Sequence, residues 1–111
     1  MAMLDDVRNA LWTESQQLWT ISNNSALPAA VQNAASLELV EVNHRLAITQ
    51  GQSLSLAATA LQAQAQLVAG AQTQAQQALN AAQTAANVTT AVTDFLSVVD
   101  NFIDAAKSFF V

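Results

Sequence analysis

The sequence predicts an all-α protein of three to four helices, either a helical hairpin or bundle or an extended, helix-rich protomer in a polymer. Apolar residues recur at spacings of three and four near both ends of the chain. The middle is dominated by Ala and Gln, which are good helix formers. From Leu46 to Thr93 there is no Asp, Glu, Lys, Arg or His. A water-facing helix normally carries charge on its outer face, and a membrane span would lack recurrent glutamines. Neighbouring helices on several sides are the surroundings that suit this stretch best.

The 111 residues read as one domain, 1–111. The first helix is expected over about 4–22. Leu4, Val7, Leu11, Leu18 and Ile21 form its apolar seam, interrupted by Glu14. Asp5 and Asp6 lie in the first turn, where carboxylates favour the positive end of the helix dipole. Trp12 and Trp19 are seven apart on one flank of this seam. They either widen the core face or form an exposed aromatic stripe for a subunit or membrane interface. Ser22-Asn-Asn-Ser25 should end the helix, because Asn and Ser compete for backbone hydrogen bonds.

A second helix follows over about 26–49, with Ser25 as N-cap and Pro28 in the first turn, where its missing N–H costs nothing. Val31, Ala35, Leu39, Val42 and Leu46 make its stripe. Glu38, Glu41, His44 and Arg45 gather on the other side. Their spacing superficially resembles a carboxylate–imidazole metal set, but the chain has no second His. A solvated charged face, with Glu41 and Arg45 paired at i,i+4, is the simpler reading.

Gly51 poses the topological question. It either folds the chain back or lies within a single helix of about 90 Å at 1.5 Å per residue. A third helix is expected over about 52–87, continuous from Leu54 to Ala86. Leu54, Leu61, Val68, Ala75 and Ala82 repeat every seven residues, and Ala57 joins them in a small-residue heptad seam suited to close helix approach. This is the predicted assembly seam. Gln62, Gln66, Thr73, Gln76, Gln77, Asn80, Gln83 and Asn87 cover much of the remaining circumference, and they suit a surface covered by neighbouring copies. Asn87-Val-Thr-Thr-Ala91 reads as a joint, with Thr93 capping a last helix over about 93–110. Phe95, Phe102 and Phe109 are seven apart on that helix, with Phe110 beside them. They supply either the bulky part of a core or, with Trp12 and Trp19, a hydrophobic docking surface.

Composition excludes several functions. A net charge of −5, with Arg8, Arg45 and Lys107 as the only Lys or Arg, argues against nucleic acid and anionic membrane surfaces. The absence of Cys removes disulfides and thiolate metal sites. There is no phosphate loop and no nucleophile–base constellation, so we expect no catalytic residues, cofactor, metal or small-molecule substrate. No signal peptide or transmembrane run is evident, which predicts a cytoplasmic protein.

Pro28-Ala-Ala, Leu56-Ala-Ala-Thr-Ala60, the Gln-Ala alternation from Gln62 to Gln77 and Thr90-Ala-Val-Thr-Asp94 form a low-complexity pattern. In these the chain resembles the R-body (killing-trait) structural proteins, which bacteria assemble into coiled ribbons. The Trp-bearing first helix and Phe-rich last helix depart from the resemblance. It implies an assembly subunit and ribbons that extend in acid, and it assigns no individual residue. Acid sensitivity also has its own chemical logic. Protonating all eight carboxylates and His44 takes the formal charge from −5 to +4, three Lys/Arg plus one His. Glu38, Glu41, Asp100 and Asp104 are the candidate pH-sensitive groups.

The expected function is therefore a non-enzymatic structural subunit that self-assembles with copies of itself or close paralogues into a filament, ribbon or sheet. A membrane-active or pore-forming toxin component is the alternative, with membrane contact less favoured. A particle or granule coat protein resembling phasins is the second alternative.

Overall fold

In the computed structural model, described for residues 2–50, 52–55, 59 and 61–110, four α-helices form a bundle of 47 × 22 × 18 Å. They are α1 (Ala2–Ser22), α2 (Ala29–Thr49), α3 (Gln62–Asn80) and α4 (Ala85–Ala106), followed by a 3-10 turn at Lys107–Phe109.

The α1–α2 turn is built by its polar residues. Asn23 donates from both its backbone and its side chain to the Trp19 carbonyl, and the Asn24 side chain accepts from the Ala26 N–H. Such local bonds offer the backbone an alternative to further helix. Ser25 does not cap α2. The N-cap position belongs to Pro28 in an extended conformation, and its carbonyl accepts from the N–H groups of Val31 and Gln32. Pro has no N–H and fixes φ near the helical value, so a helix can begin directly after it.

The chain leaves α2 at Gln50, whose backbone is extended. The next α-helix starts at Gln62, so the 90 Å rod does not form. Gly51 itself lies outside the described residues. Between the helices, Leu54 makes an isolated bridge to Phe110, and the Ser55 N–H donates to the Phe109 carbonyl at 2.8 Å. The crossing strand of chain thus satisfies backbone groups against the C-terminal turn instead of within a helix.

The expected continuous helix from Leu54 to Ala86 is interrupted a second time. α3 stops at Asn80 and α4 starts at Ala85, earlier than Thr93. Thr84 is the cap: its backbone is extended and its side chain accepts from the Asn87 N–H. That bond satisfies one of the four orphan donors of a helix start. Once Thr84 caps there, the β-branched run Val88-Thr-Thr90 is carried inside α4, where Val88 is fully buried. Tertiary burial overrides the run's weak helix propensity.

α1 packs on α2 and α3, and α4 packs on α3 and α2, so α1 and α4 are diagonal, as are α2 and α3. Gln72 bonds Glu14 while Gln76 bonds Gln17, so α1 and α3 run parallel. The short turns make α1–α2 and α3–α4 antiparallel pairs. Connecting two such pairs laid side by side requires a crossover between α2 and α3, and residues 50–61 provide it.

The core uses the bulky end residues. Leu4, Val7, Leu11 and Leu18 of α1 meet Val31, Ala35 and Val42 of α2. From α4 come Val88, Val92, Phe95, Val99 and Phe102, all essentially without solvent contact. Leu61, Val68, Ala75 and Leu79 face inward from the third helix and its start. Burying each large side chain contributes about 1.5–3 kcal/mol against exposure.

Candidate functional site

The residues predicted as an assembly seam form the protomer's own core. Leu61, Val68 and Ala75 are buried, Leu54 and Ala82 are partly buried, and Ala57 lies outside the described residues. A heptad seam fits any helix that presents a matching groove, and α1 and α4 of the same chain already present one. The amide face behaves differently. Gln62, Gln66, Thr73, Gln76, Gln77, Asn80, Gln83 and Asn87 are all exposed on the protomer.

The hydrophobic docking set divides in two. Phe95 and Phe102 are core residues, and Phe109 and Phe110 pack partly against the core. Their heptad spacing puts Phe95 and Phe102 in the interior, away from any docking surface, while Phe109 and Phe110 keep part of their surface in water. Trp12 and Trp19 are 56% and 58% exposed. Leu37, Val40 and Ile48 of α2 are exposed as well. These three share one helical face with His44, at steps of three, four and four. Five of the six large exposed hydrophobics among the described residues therefore belong to the α1–α2 pair, the sixth being Leu67. Large apolar side chains left in water on adjacent helices of a small domain suit contact with a partner.

The charged cluster on α2 is more than a solvated face. Arg45 donates through Nε and Nη2 to both carboxylate oxygens of Asp100 on α4, at 3.0 and 3.1 Å. The same guanidinium bonds Glu41 one turn back. These partners, the Asp100 hydrogen bonds above all, raise the Arg45 pKa further. Burial, with the Glu41 charge adding to it, pushes Glu38 up, and Arg45 partly offsets this. Asp104 is exposed beside Lys107 at 3.4 Å, and His44 is exposed. Among the described residues no group of three His, Cys, Asp or Glu side chains is placed to hold a metal.

The charge that matters most was visible in the sequence only as an interruption of a stripe. Glu14 has 0% exposure, between Leu11 and Leu18 on the core face of α1. Gln72 Nε2 donates to its Oε1 at 3.2 Å, and its Oε2 has no partner. Burial drives the Glu14 pKa to about 7, against a smaller lowering by the Gln72 bond. A carboxyl taken out of water favours its neutral form. Beside it, a groove of about 570 Å³ runs between α1 and α3, with Gln72, Ala10, Thr13 and Ala69 in its lining.

Arg8 was also missed as a structural residue. Its guanidinium donates to the Thr49 carbonyl through Nε at 3.0 Å and to the Gln52 carbonyl at 2.6 Å. It therefore satisfies an orphan carbonyl at the end of α2 and ties down the start of the crossover. An Arg one turn beyond Leu4 gives no sequence signal for such a distant partner.

Compared with protein-family models, curated proteins and solved structures, the chain matches none.

Proposed function

We propose that the chain is a non-enzymatic structural subunit that assembles with copies of itself, or with close paralogues, into a filament, ribbon or sheet. The observation that carries this reading is the exposure of five large apolar side chains on α1 and α2, Trp12, Trp19, Leu37, Val40 and Ile48. Tryptophan is enriched at interface hot spots, where it buries a large area at low entropic cost. The outer face of α3 supplies a second, chemically distinct surface of amides and small residues around Leu67. A single self-complementary patch closes a dimer, whereas two different faces that meet head to tail propagate. α2 and α3 are diagonal in the bundle, so the apolar stripe of α2 and the amide face of α3 are carried by different helix pairs. The resemblance to R-body proteins points the same way.

Light scattering and negative-stain microscopy of purified protein test this reading. Extended particles support it, and a stable monomer at micromolar concentration overturns it. The same tryptophans favour one other reading, a membrane-active protein whose aromatic stripe enters the lipid interface. No helix among the described residues is long and apolar enough to cross a membrane, so such contact would be interfacial. Dye release from liposomes separates the two, because a structural subunit releases none.

A further inference from the structure

The α1–α2 and α3–α4 pairs can dock in two ways. In an up-down-up-down bundle every neighbouring helix is antiparallel, and about 2–8 residues connect one helix to the next. This chain instead sets α1 beside α3 and α2 beside α4, each parallel to its neighbour. Parallel neighbours bring like ends of their helix dipoles together, which disfavours this arrangement. The connection over residues 50–61 is longer than the up-down bundle needs, so it permits either.

The apolar pattern does not choose between them. The seam of α3 consists of Ala65, Val68, Ala75 and Leu79, and Ala and Gln dominate its flanks. No bulky side chain in that seam prefers α1 to α2 as the neighbour. The choice falls to two polar contacts, one at each interface between the pairs. On the α1–α3 side, Glu14 is fully buried between Leu11 and Leu18, and Gln72 Nε2 donates to its Oε1 at 3.2 Å. On the α2–α4 side, Arg45 donates to both carboxylate oxygens of Asp100, at 3.0 and 3.1 Å.

We propose that the Glu14–Gln72 and Arg45–Asp100 contacts select the topology, holding α3 on α1 and α4 on α2 and excluding the up-down-up-down bundle. This goes beyond the assembly reading and does not depend on it.

Turning the α3–α4 pair over would place α4 beside α1 and α3 beside α2. The buried face of α4, with Val88, Val92, Phe95, Val99 and Phe102, has no side-chain donor for Glu14. α3 has no Asp or Glu, so Arg45 would lose Asp100 and find no carboxylate in its place. A buried polar or charged group stripped of its partner costs the full desolvation of that group. An aliphatic residue at position 14 would carry no such penalty and would pack in either arrangement. Polar residues in an apolar seam exclude competing structures at some cost in stability. That exclusion accounts for a carboxyl at a core position of α1.

Proximity of α1 to α3 tests the proposal. The chain has no cysteine, and Gln17 Nε2 donates to Asn80 Oδ1 at 3.0 Å, so these two side chains are neighbours across α1 and α3. Q17C and N80C, introduced together into the full chain, are bridged with a short bismaleimide, and bridging within one chain is read by mass spectrometry. It should be nearly complete with the four polar residues intact. In the background E14L, Q72L, R45L and D100L it should fall about twofold or more, as two arrangements of similar stability require, with helicity retained by circular dichroism. Should that background fail to fold, a second comparison decides. R45D sets two carboxylates against each other and should lower bridging, and the exchanged pair R45D/D100R should restore it. Unchanged bridging in the folded apolar background, or equal bridging in R45D and R45D/D100R, would overturn the proposal.

Discussion

Glu14 sets the pH response of the folded chain. Its carboxyl holds a proton up to about pH 7 when folded, against an ordinary value of 4.5. Between those values the folded chain binds more protons than the unfolded one, so stability falls as pH rises through that window. The contribution is fully present below about pH 4.5 and exhausted above about pH 7, a change on the order of 3 kcal/mol. Urea unfolding across this range should show the decline, and E14Q should flatten it and be at least as stable as the parent at neutral pH. A parent whose stability rises or stays level from pH 4.5 to 7, relative to E14Q, would refute the burial argument. Of the groups nominated from the sequence, Asp100 pairs with Arg45 across α4 and α2, and Glu41 pairs with Arg45 within α2.

At the scale of elements, two kinds of residue hold the helices and differ in weight. Thr84 supplies one capping bond at an exposed helix start, so Thr84→Ala should cost about 1 kcal/mol in denaturant unfolding. Phe102 is fully buried on α4, and Phe102→Ala should cost about 3–5 kcal/mol. A larger loss at the cap than at the core would contradict this ordering. The same contrast explains what was legible beforehand. The stripes of α1, α2 and α4 are carried by large apolar residues, whose period can be read directly. The Ala-Gln region gives no such contrast: its helix propensity is high throughout, and nothing in its composition marks an end at Asn80. Thr84 and Thr93 are equally plausible caps in the sequence, and burial of Val88, Val92 and Phe95 on one face decides between them. The start of α3 at Gln62 likewise depends on contacts of Leu54 and Ser55 with the C-terminus, more than fifty positions away.

At the scale of the molecule, the charge-free stretch changes meaning. Leu61, Ala65, Val68, Ala75, Leu79, Val88, Ala91 and Val92 of this stretch are buried in the four-helix core of the protomer itself. Its outer residues leave an amide face in water on α3, while Trp12 and Trp19 are exposed on α1. Heptad pattern alone did not distinguish an intramolecular seam from an intermolecular one, because both satisfy the same knobs-into-holes geometry. What remains for partners is the surface the fold leaves apolar, Trp12 and Trp19 foremost. Sedimentation equilibrium over a range of concentrations, comparing the parent with a Trp12→Ser, Trp19→Ser double variant, tests that claim most directly. The parent mass should rise with concentration above the 11.7 kDa protomer, and the folded double variant should stay at 11.7 kDa. A parent fixed at 11.7 kDa, or a double variant that associates as the parent does, would contradict it.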